Sequence, residues 1–364
     1  MDEPSPPTTS PLGEAAPGPK VDRDLMFARV EQRLLGRTLT PVRVGRFVVL
    51  RRVGHGGMGV VYAAHDPELD RKVAVKLVDD GGGDGSGPTE AHRELLREAR
   101  AAAALTHPNV VTVYEVGLEG DAVFLAMEYV DGPTLRRWLE PPGDRRWREV
   151  VGMFVAAGRG LAAAHRAGLV HRDFKPDNVL IGADGRPRVA DFGLARPAPR
   201  DRTEPGDGSE PAGEGTFTSV AGTPRYMAPE QHDGQGIGPA SDQFAFCVAL
   251  YEGLYGQPPF PISSVVDRLD ALERPLPAPP SRGVPRSLWR VLRRGLAQEP
   301  AQRWPGMAEL LEALEAVGRR RRRLATAAVV VPTSSLAQAT STSHDAQAPR
   351  HPPAVLIGSS CAPP

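Results

Sequence analysis

The sequence predicts an α+β chain in two unequal lobes: a small five-stranded antiparallel sheet with one helix, then a larger and mainly helical lobe. Three observations carry this. Apolar runs rich in Val, Tyr and Phe alternate between Phe47 and Glu128, the two-residue period of half-buried strands. From Thr134 onward the composition turns helical. Within that second part, His171-Arg172-Asp173-Phe174-Lys175-Pro176-Asp177-Asn178 gathers an imidazole, a guanidinium, two carboxylates, an ammonium and an amide. Packing does not call for such a density of polar groups, whereas a metal-assisted site does.

Length and charge narrow the function classes. The 364 residues, 40% hydrophobic and 24% charged, have a soluble globular mix and ample length for a core. Lys+Arg and Asp+Glu balance at 44 each, so no overall field argues for nucleic acid or membrane as partner. Cys247 and Cys361 lie far apart without metal-ligand spacing, which points to a reducing, cytoplasmic setting. Of the 44 basic residues only Lys20, Lys72, Lys76 and Lys175 are lysines. Where arginine fills nearly every basic position, a lysine inside a motif marks a need for a compact ammonium. Lys76 and Lys175 both sit in motifs.

Residues 1–46 read as a Pro-rich leader. Its first 20 residues are rich in Pro, Ser, Thr, Gly and Ala, a disordered composition without a signal-peptide pattern. Leu25, Met26, Val30 and Leu34 then recur near helical spacing, predicting a short amphipathic helix docked on the domain. Phe47 to Leu50 opens the sheet, followed by Gly54-His55-Gly56-Gly57-Met58-Gly59, the return run Val60-Val61-Tyr62, and a third strand over Arg71 to Val78. A dinucleotide fingerprint needs a helix directly after its glycines. Strand follows here instead. That leaves a phosphate-covering hairpin, whose glycines let backbone N–H groups approach phosphate oxygens, or merely a flexible turn; Val73-Ala74-Val75-Lys76 one strand later favours the hairpin. Glu90 to Leu105 reads as a helix, and strands over Val110 to Tyr114 and Val123 to Glu128 complete the five.

Helices are expected over Thr134 to Leu139 and Trp147 to His165, before the charged loop and Asp191-Phe192-Gly193. Residues 197–215 lack an apolar period and read as a flexible insertion. Ser241 to Tyr255 is apolar enough for a buried helix, and helical runs near 263–272, 287–297 and 305–317 close the second lobe. The domain thus spans 47–317, with lobes 47–129 and 130–317. In 318–364, Arg319 to Arg323 abut the apolar run Leu324 to Val331, far short of the roughly 20 residues a membrane helix requires. This stretch reads as a basic cluster and a disordered tail, with no membrane span.

The glycine hairpin, strand Lys76, helix Glu98, charged loop, Asp191-Phe192-Gly193, Ala228-Pro229-Glu230 and late Arg303 occur in that order. Together they resemble the signature set of bacterial eukaryotic-like serine/threonine protein kinases. The resemblance implies the bilobal protein-kinase-like fold, ATP and Mg²⁺ (or Mn²⁺) as cofactors, and phosphoryl transfer to Ser or Thr hydroxyls of protein substrates. It also implies roles. Gly54, Gly56 and Gly59 would cover the ATP phosphates, with Val53 and Val61 against the nucleotide. Lys76, positioned by Glu98, would hold the α- and β-phosphates. Glu128 and Val130 would bond adenine through their backbones, and Met127 would guard the back pocket. Asp173 would take the acceptor proton, Lys175 would stabilise the transferring group, and Asn178 and Asp191 would hold the metal.

Thr223 would line the acceptor platform, Glu230 would pair with Arg303, and Asp242 would be structural. Arg172 would gather a phosphate carried by the activation segment, with Thr216, Thr218 and Ser219 as candidates and Thr216 or Thr218 preferred. A transient homodimer for autophosphorylation follows from the same likeness. The competing reading is a pseudokinase used as a nucleotide-binding docking module; its usual marker is loss of a key residue, yet Lys76, Asp173, Asn178 and Asp191 are all present. A small-molecule kinase is disfavoured by the Ala-Pro-Glu platform.

Overall fold

The computed structural model describes residues 21–27, 41–56, 59–78, 90–120, 122–142, 145–192, 224–232, 236–261, 265–272, 274, 276, 278–280 and 283–327. The first 20 residues of the leader, the 197–215 insertion and the tail beyond 327 lie outside them.

A short helix, α1, covers residues 21–27. The strands β1 (Arg43–Val44), β2 (Phe47–Gly56), β3 (Gly59–Asp66), β4 (Arg71–Val78), β5 (Val113–Glu119) and β6 (Ala122–Glu128) build one antiparallel sheet in the order β1-β2-β3-β4-β6-β5. The sheet has the five expected strands plus the two-residue β1, which pairs with the start of β2. β5 begins later than the apolar run from Val110 suggested. The reason is that Val110 and Val111 are drawn to the second lobe, where Val110 bridges Val189 and the Val111 N–H donates to the Val189 carbonyl at 2.9 Å.

Because side chains alternate across a strand, the sheet has two apolar faces. One carries Val44, Phe47, Val49, Tyr62, Val75 and Phe124 and is joined by Val21 of α1. The other carries Val78, Val123, Leu125 and Met127 and packs on Leu95 and Ala99 of α2 (Glu90–Ala103). Lys76 pairs in register with Val61, so both point to this second face. The tip of the glycine hairpin depends on backbone proximity. Gly59 has φ of 122°, and a Cβ there would come within 1.9 Å of the Leu77 carbonyl oxygen. At Gly54 a Cβ would meet nothing within 4 Å, so the protein's own packing does not demand glycine there.

The second lobe contains α3 (Leu135–Trp138), α4 (Trp147–Arg166), the hairpin β7 (Val179–Ile181) and β8 (Pro187–Val189), α5 (Pro229–His232), α6 (Pro239–Tyr255), α7 (Val265–Leu272), α8 (Arg286–Gly295) and α9 (Met307–Ala327). α6 is buried along almost its whole length, as a helix without a polar face must be. Pro239 starts it, and Gly256 ends it in the left-handed conformation with φ of 71°. Around α6 pack Phe154 and Leu161 of α4, Leu288 and Leu292 of α8, and Leu310 and Leu314 of α9. The last helix continues past the expected end at 317 through the arginine cluster, since arginine is a good helix former. Among the described residues no helix is long and apolar enough to cross a membrane.

Candidate active site

The charged loop hangs from one buried carboxylate. Asp242, near the start of α6, is 1% exposed and accepts hydrogen bonds from the backbone N–H groups of His171 at 2.7 Å and Arg172 at 2.8 Å. Its Oδ2 also meets His165 Nε2 of α4 at 2.7 Å. These contacts hold Arg172 at φ of 68°, a left-handed conformation that costs a non-glycine residue about 1–3 kcal/mol. The His171 ring is fully buried between Phe174 and Phe192, and its Nε2 contacts the Ala190 carbonyl at 2.9 Å. The imidazole is thus a strut.

On this frame Asp173, Lys175 and Asn178 converge. Lys175 Nζ lies 2.7 Å from Asp173 Oδ2, and Asn178 Nδ2 donates to the Asp173 carbonyl at 2.9 Å and to its Oδ2 at 3.3 Å. Since the amide nitrogen is engaged, the Asn178 side-chain oxygen is left as the acceptor of that group. The Ala190 N–H donates to the Asn178 carbonyl at 2.9 Å. Asp191, the next residue, therefore stands beside the loop, at φ of 64°. Its Oδ1 is 2.9 Å from Lys76 Nζ, whose side chain is 5% exposed. Burial works to raise the Asp191 pKa, but the Lys76 ammonium, helped by His171 and Lys175, outweighs it and holds the carboxyl below its ordinary value.

The expected partner of Lys76 is elsewhere. Glu98 of α2 bonds Arg172 Nη1 at 2.8 Å, so this structure joins Lys76 to Asp191 and Glu98 to Arg172. In this arrangement each of the four charged groups already has an opposite charge within hydrogen-bond reach. Glu128 ends β6, with its N–H given to the Thr112 carbonyl at 2.8 Å and its carboxylate 3.1 Å from Arg188. Val130 packs half-buried against the cluster under the sheet. Met127 lines a small apolar cavity of about 20 Å³ with Leu125, Asp191 and Phe192. Val53 is exposed and Val61 half-buried, flanking the hairpin that carries Gly54, Gly56 and Gly59.

Glu230 and Arg303 form the second ionic centre. Arg303 is buried, and both its terminal nitrogens reach the carboxylate, at 2.7 and 2.8 Å. The remaining donors go to the carbonyls of Ala297, Ala240 and Gln298 at 2.8–2.9 Å. Burial pushes the Glu230 pKa up, yet Arg303 and the Ser241 hydroxyl hold it below its ordinary value. Thr216, Thr218, Ser219 and Thr223 lie outside the described residues.

A further network escaped the sequence reading. Arg136 of α3 bonds Asp177 of the charged loop at 3.1 Å, Glu252 of α6 at 3.0 Å, and the Tyr226 hydroxyl. Tyr226 in turn donates to Glu252 at 2.6 Å, and Arg225 joins the same carboxylate at 2.5 Å. It ties the charged loop to the segment before Ala228-Pro229-Glu230. Asp177 stood in the motif, but nothing local in the sequence marks Arg136 or Glu252 as its neighbours.

The profile of the protein kinase domain matches residues 47–313. Serine/threonine-protein kinase PrkC of Bacillus subtilis is 34% identical over 284 residues, 77% of this chain and 41% of the relative. Serine/threonine-protein kinase PknL of Mycobacterium tuberculosis is 36% identical over 277 residues, 75% of this chain and 65% of the relative. Serine/threonine-protein kinase PknA of the same species is 35% identical over 286 residues, 76% of this chain and 62% of the relative. The chain therefore spans between 41% and 65% of the length of these relatives.

Proposed function

The chain belongs to the protein kinase domain family, and we propose that it transfers the γ-phosphoryl group of ATP to Ser or Thr hydroxyls of proteins. The observation that carries this is the convergence of Asp173, Lys175 and Asn178 beside the Lys76–Asp191 pair. Phosphoryl transfer spreads negative charge over the moving group, so its catalyst is chiefly a set of placed cations and dipoles. In this reading Asp173 accepts the proton of the attacking hydroxyl. Its 2.7 Å contact with Lys175 keeps an ammonium where the transferring phosphoryl would lie. Gly54, Gly56 and Gly59 offer backbone amides to the phosphates, Val53 and Val61 enclose the base, and Glu128 and Val130 bond adenine through their backbones.

A divalent cation fits the donor set. The Asp191 carboxylate and the amide oxygen of Asn178 are the hard oxygen ligands that Mg²⁺, or Mn²⁺, accepts. No group of three or more His, Cys, Asp or Glu residues suited to a metal occurs among the described residues. Such an ion, held by Asp191 and Asn178, would supply positive charge against the nucleotide phosphates. In this reading Lys76, paired here with Asp191, would hold the α- and β-phosphates of bound ATP, with Glu98 positioning it. Arg172 is then released from Glu98 to meet a phosphate on Thr216, Thr218 or Ser219, added by a second copy in a transient dimer. Thr223 lines the acceptor platform, and Glu230, Arg303 and Asp242 hold it in place. The domain boundaries 47–317, the flanking segments 1–46 and 318–364, and a cytoplasmic setting belong to the same proposal.

The test is phosphotransfer from labelled ATP to a generic protein acceptor and to the chain itself, with Mg²⁺ or Mn²⁺. Incorporation is expected on Ser or Thr, lost in Asp191→Asn. Wild-type protein that binds ATP without transferring phosphate would support the docking-module alternative instead.

A further inference from the structure

We infer that Asp22, in the leader helix α1, is a positioning residue for the nucleotide: it fastens together the two strands that carry the glycine hairpin. Asp22 Oδ1 accepts from the Tyr62 hydroxyl at 2.8 Å, and its Oδ2 is 2.9 Å from Arg52 Nη1. Tyr62 lies on β3 and Arg52 on β2, and the two are register partners. Immediately beyond them, between Arg52 and Gly54, the β2–β3 register slips. An irregularity in the ladder weakens the pairing there. One carboxylate thus clamps both strands at the last regular pair before the glycines.

The clamp is tied to the core. Tyr62 is fully buried among Val44, Phe47, Val75 and Phe124. Among the described residues Asp22 is the acceptor its hydroxyl has. A phenol hydroxyl in such a cluster is costly unless it finds an acceptor. Val21, 8% exposed, and the partly buried Leu25 seat α1 on the same cluster, so the carboxylate is delivered by apolar docking rather than by charge alone. Val61 precedes Tyr62 and points to the opposite face, in register with Lys76. Fixing Tyr62 therefore fixes the strand segment that presents Val61, and leaves Asp173 and Lys175, in the other lobe, untouched.

This rests on the nucleotide site proposed above, and the test separates the two. In the full chain, Asp22→Ala is expected to raise KM for ATP and Kd for ADP roughly three- to ten-fold, the scale of a lost charged hydrogen bond partly transmitted. Its kcat is expected to stay within about two-fold of wild type. Amide hydrogen exchange over residues 52–62 should quicken. Tyr62→Phe removes the donor, so adding Asp22→Ala to it should raise KM less than in the wild-type background, while Asp22→Glu should restore part of the affinity. Unchanged KM and exchange in Asp22→Ala would overturn the inference. So would a loss of thermal stability with KM unmoved, which marks a purely structural role. Wild-type protein that binds no ADP would overturn the kinase reading instead, and the exchange measurement would still decide whether Asp22 clamps the hairpin.

Discussion

Two arginine–carboxylate pairs in this protein share their chemistry and differ in nearly everything else. Arg303 is buried, and its five N–H donors are all used, two on Glu230 and three on backbone carbonyls. Arg172 keeps 32% of its side chain exposed and meets Glu98, itself 22% exposed, through one nitrogen at 2.8 Å. Removing one member of a buried, fully bonded pair strands a charge in low dielectric. A half-exposed, single-contact pair can trade partners at little cost, because water stands in for whatever is lost. Lys76 and Asp191 form a further ion pair of the site, at 2.9 Å. One pair is therefore an anchor and the other an exchangeable contact, and the difference follows from burial and donor count rather than residue type.

The largest effect should come from breaking the anchor. Arg303→Ala is expected to cost about 3–5 kcal/mol, read as a shift in the urea unfolding midpoint. A loss below about 1 kcal/mol would remove the distinction drawn here. Asp191→Asn strikes the interlobe cluster instead. Phosphotransfer should fall on the order of 10³-fold, measured with labelled ATP, while stability falls less than in Arg303→Ala.

A smaller effect should appear in acid. Glu230 has a folded pKa below its ordinary 4.5. Its contribution is thus fully present above about pH 4.5 and is lost as pH falls through the lower folded value. Glu230→Gln should be less stable than wild type near neutrality and lose less stability on titration to about pH 3, followed by urea unfolding at each pH. Equal acid sensitivity in the two proteins would mean that this carboxylate is not the group titrating.

Much of this was legible because it is local. Alternation around Val60-Val61-Tyr62 and Val73-Ala74-Val75-Lys76 reports strands directly, and the lack of a helix after Gly59 separates a hairpin from a dinucleotide turn. What sequence could not report was pairing at a distance. With 44 basic and 44 acidic residues, nothing local matches Glu98 to Arg172, Arg136 to Glu252 and Asp177, or Asp22 to Tyr62 and Arg52. Each match depends on how elements meet. The late start of β5 has the same origin: Val110 and Val111 have strand character, but Val110 bridges Val189 of the second lobe and the Val111 N–H donates to the Val189 carbonyl. Asp242 was expected only to be structural; its three contacts, to the His171 and Arg172 N–H groups and to His165, required the loop to be folded first.

The smallest expected effect is also the sharpest test of the comparison. In a double-mutant cycle, Arg172→Ala and Glu98→Gln should couple by less than about 1 kcal/mol. Arg303→Ala and Glu230→Gln should couple by several times that. Raising NaCl from about 0.1 M to 1 M shortens the screening length from about 10 Å to 3 Å, so the Arg172–Glu98 coupling should shrink further while the buried pair's stays put. The cycle is read from urea unfolding of the nucleotide-free protein, which keeps catalysis out of the measurement. Strong, salt-insensitive coupling between Arg172 and Glu98 would make the interlobe pair a second anchor. Lys76 could not then gain Glu98 at low cost, and the partner exchange on which the proposed catalytic arrangement depends would lose its physical basis.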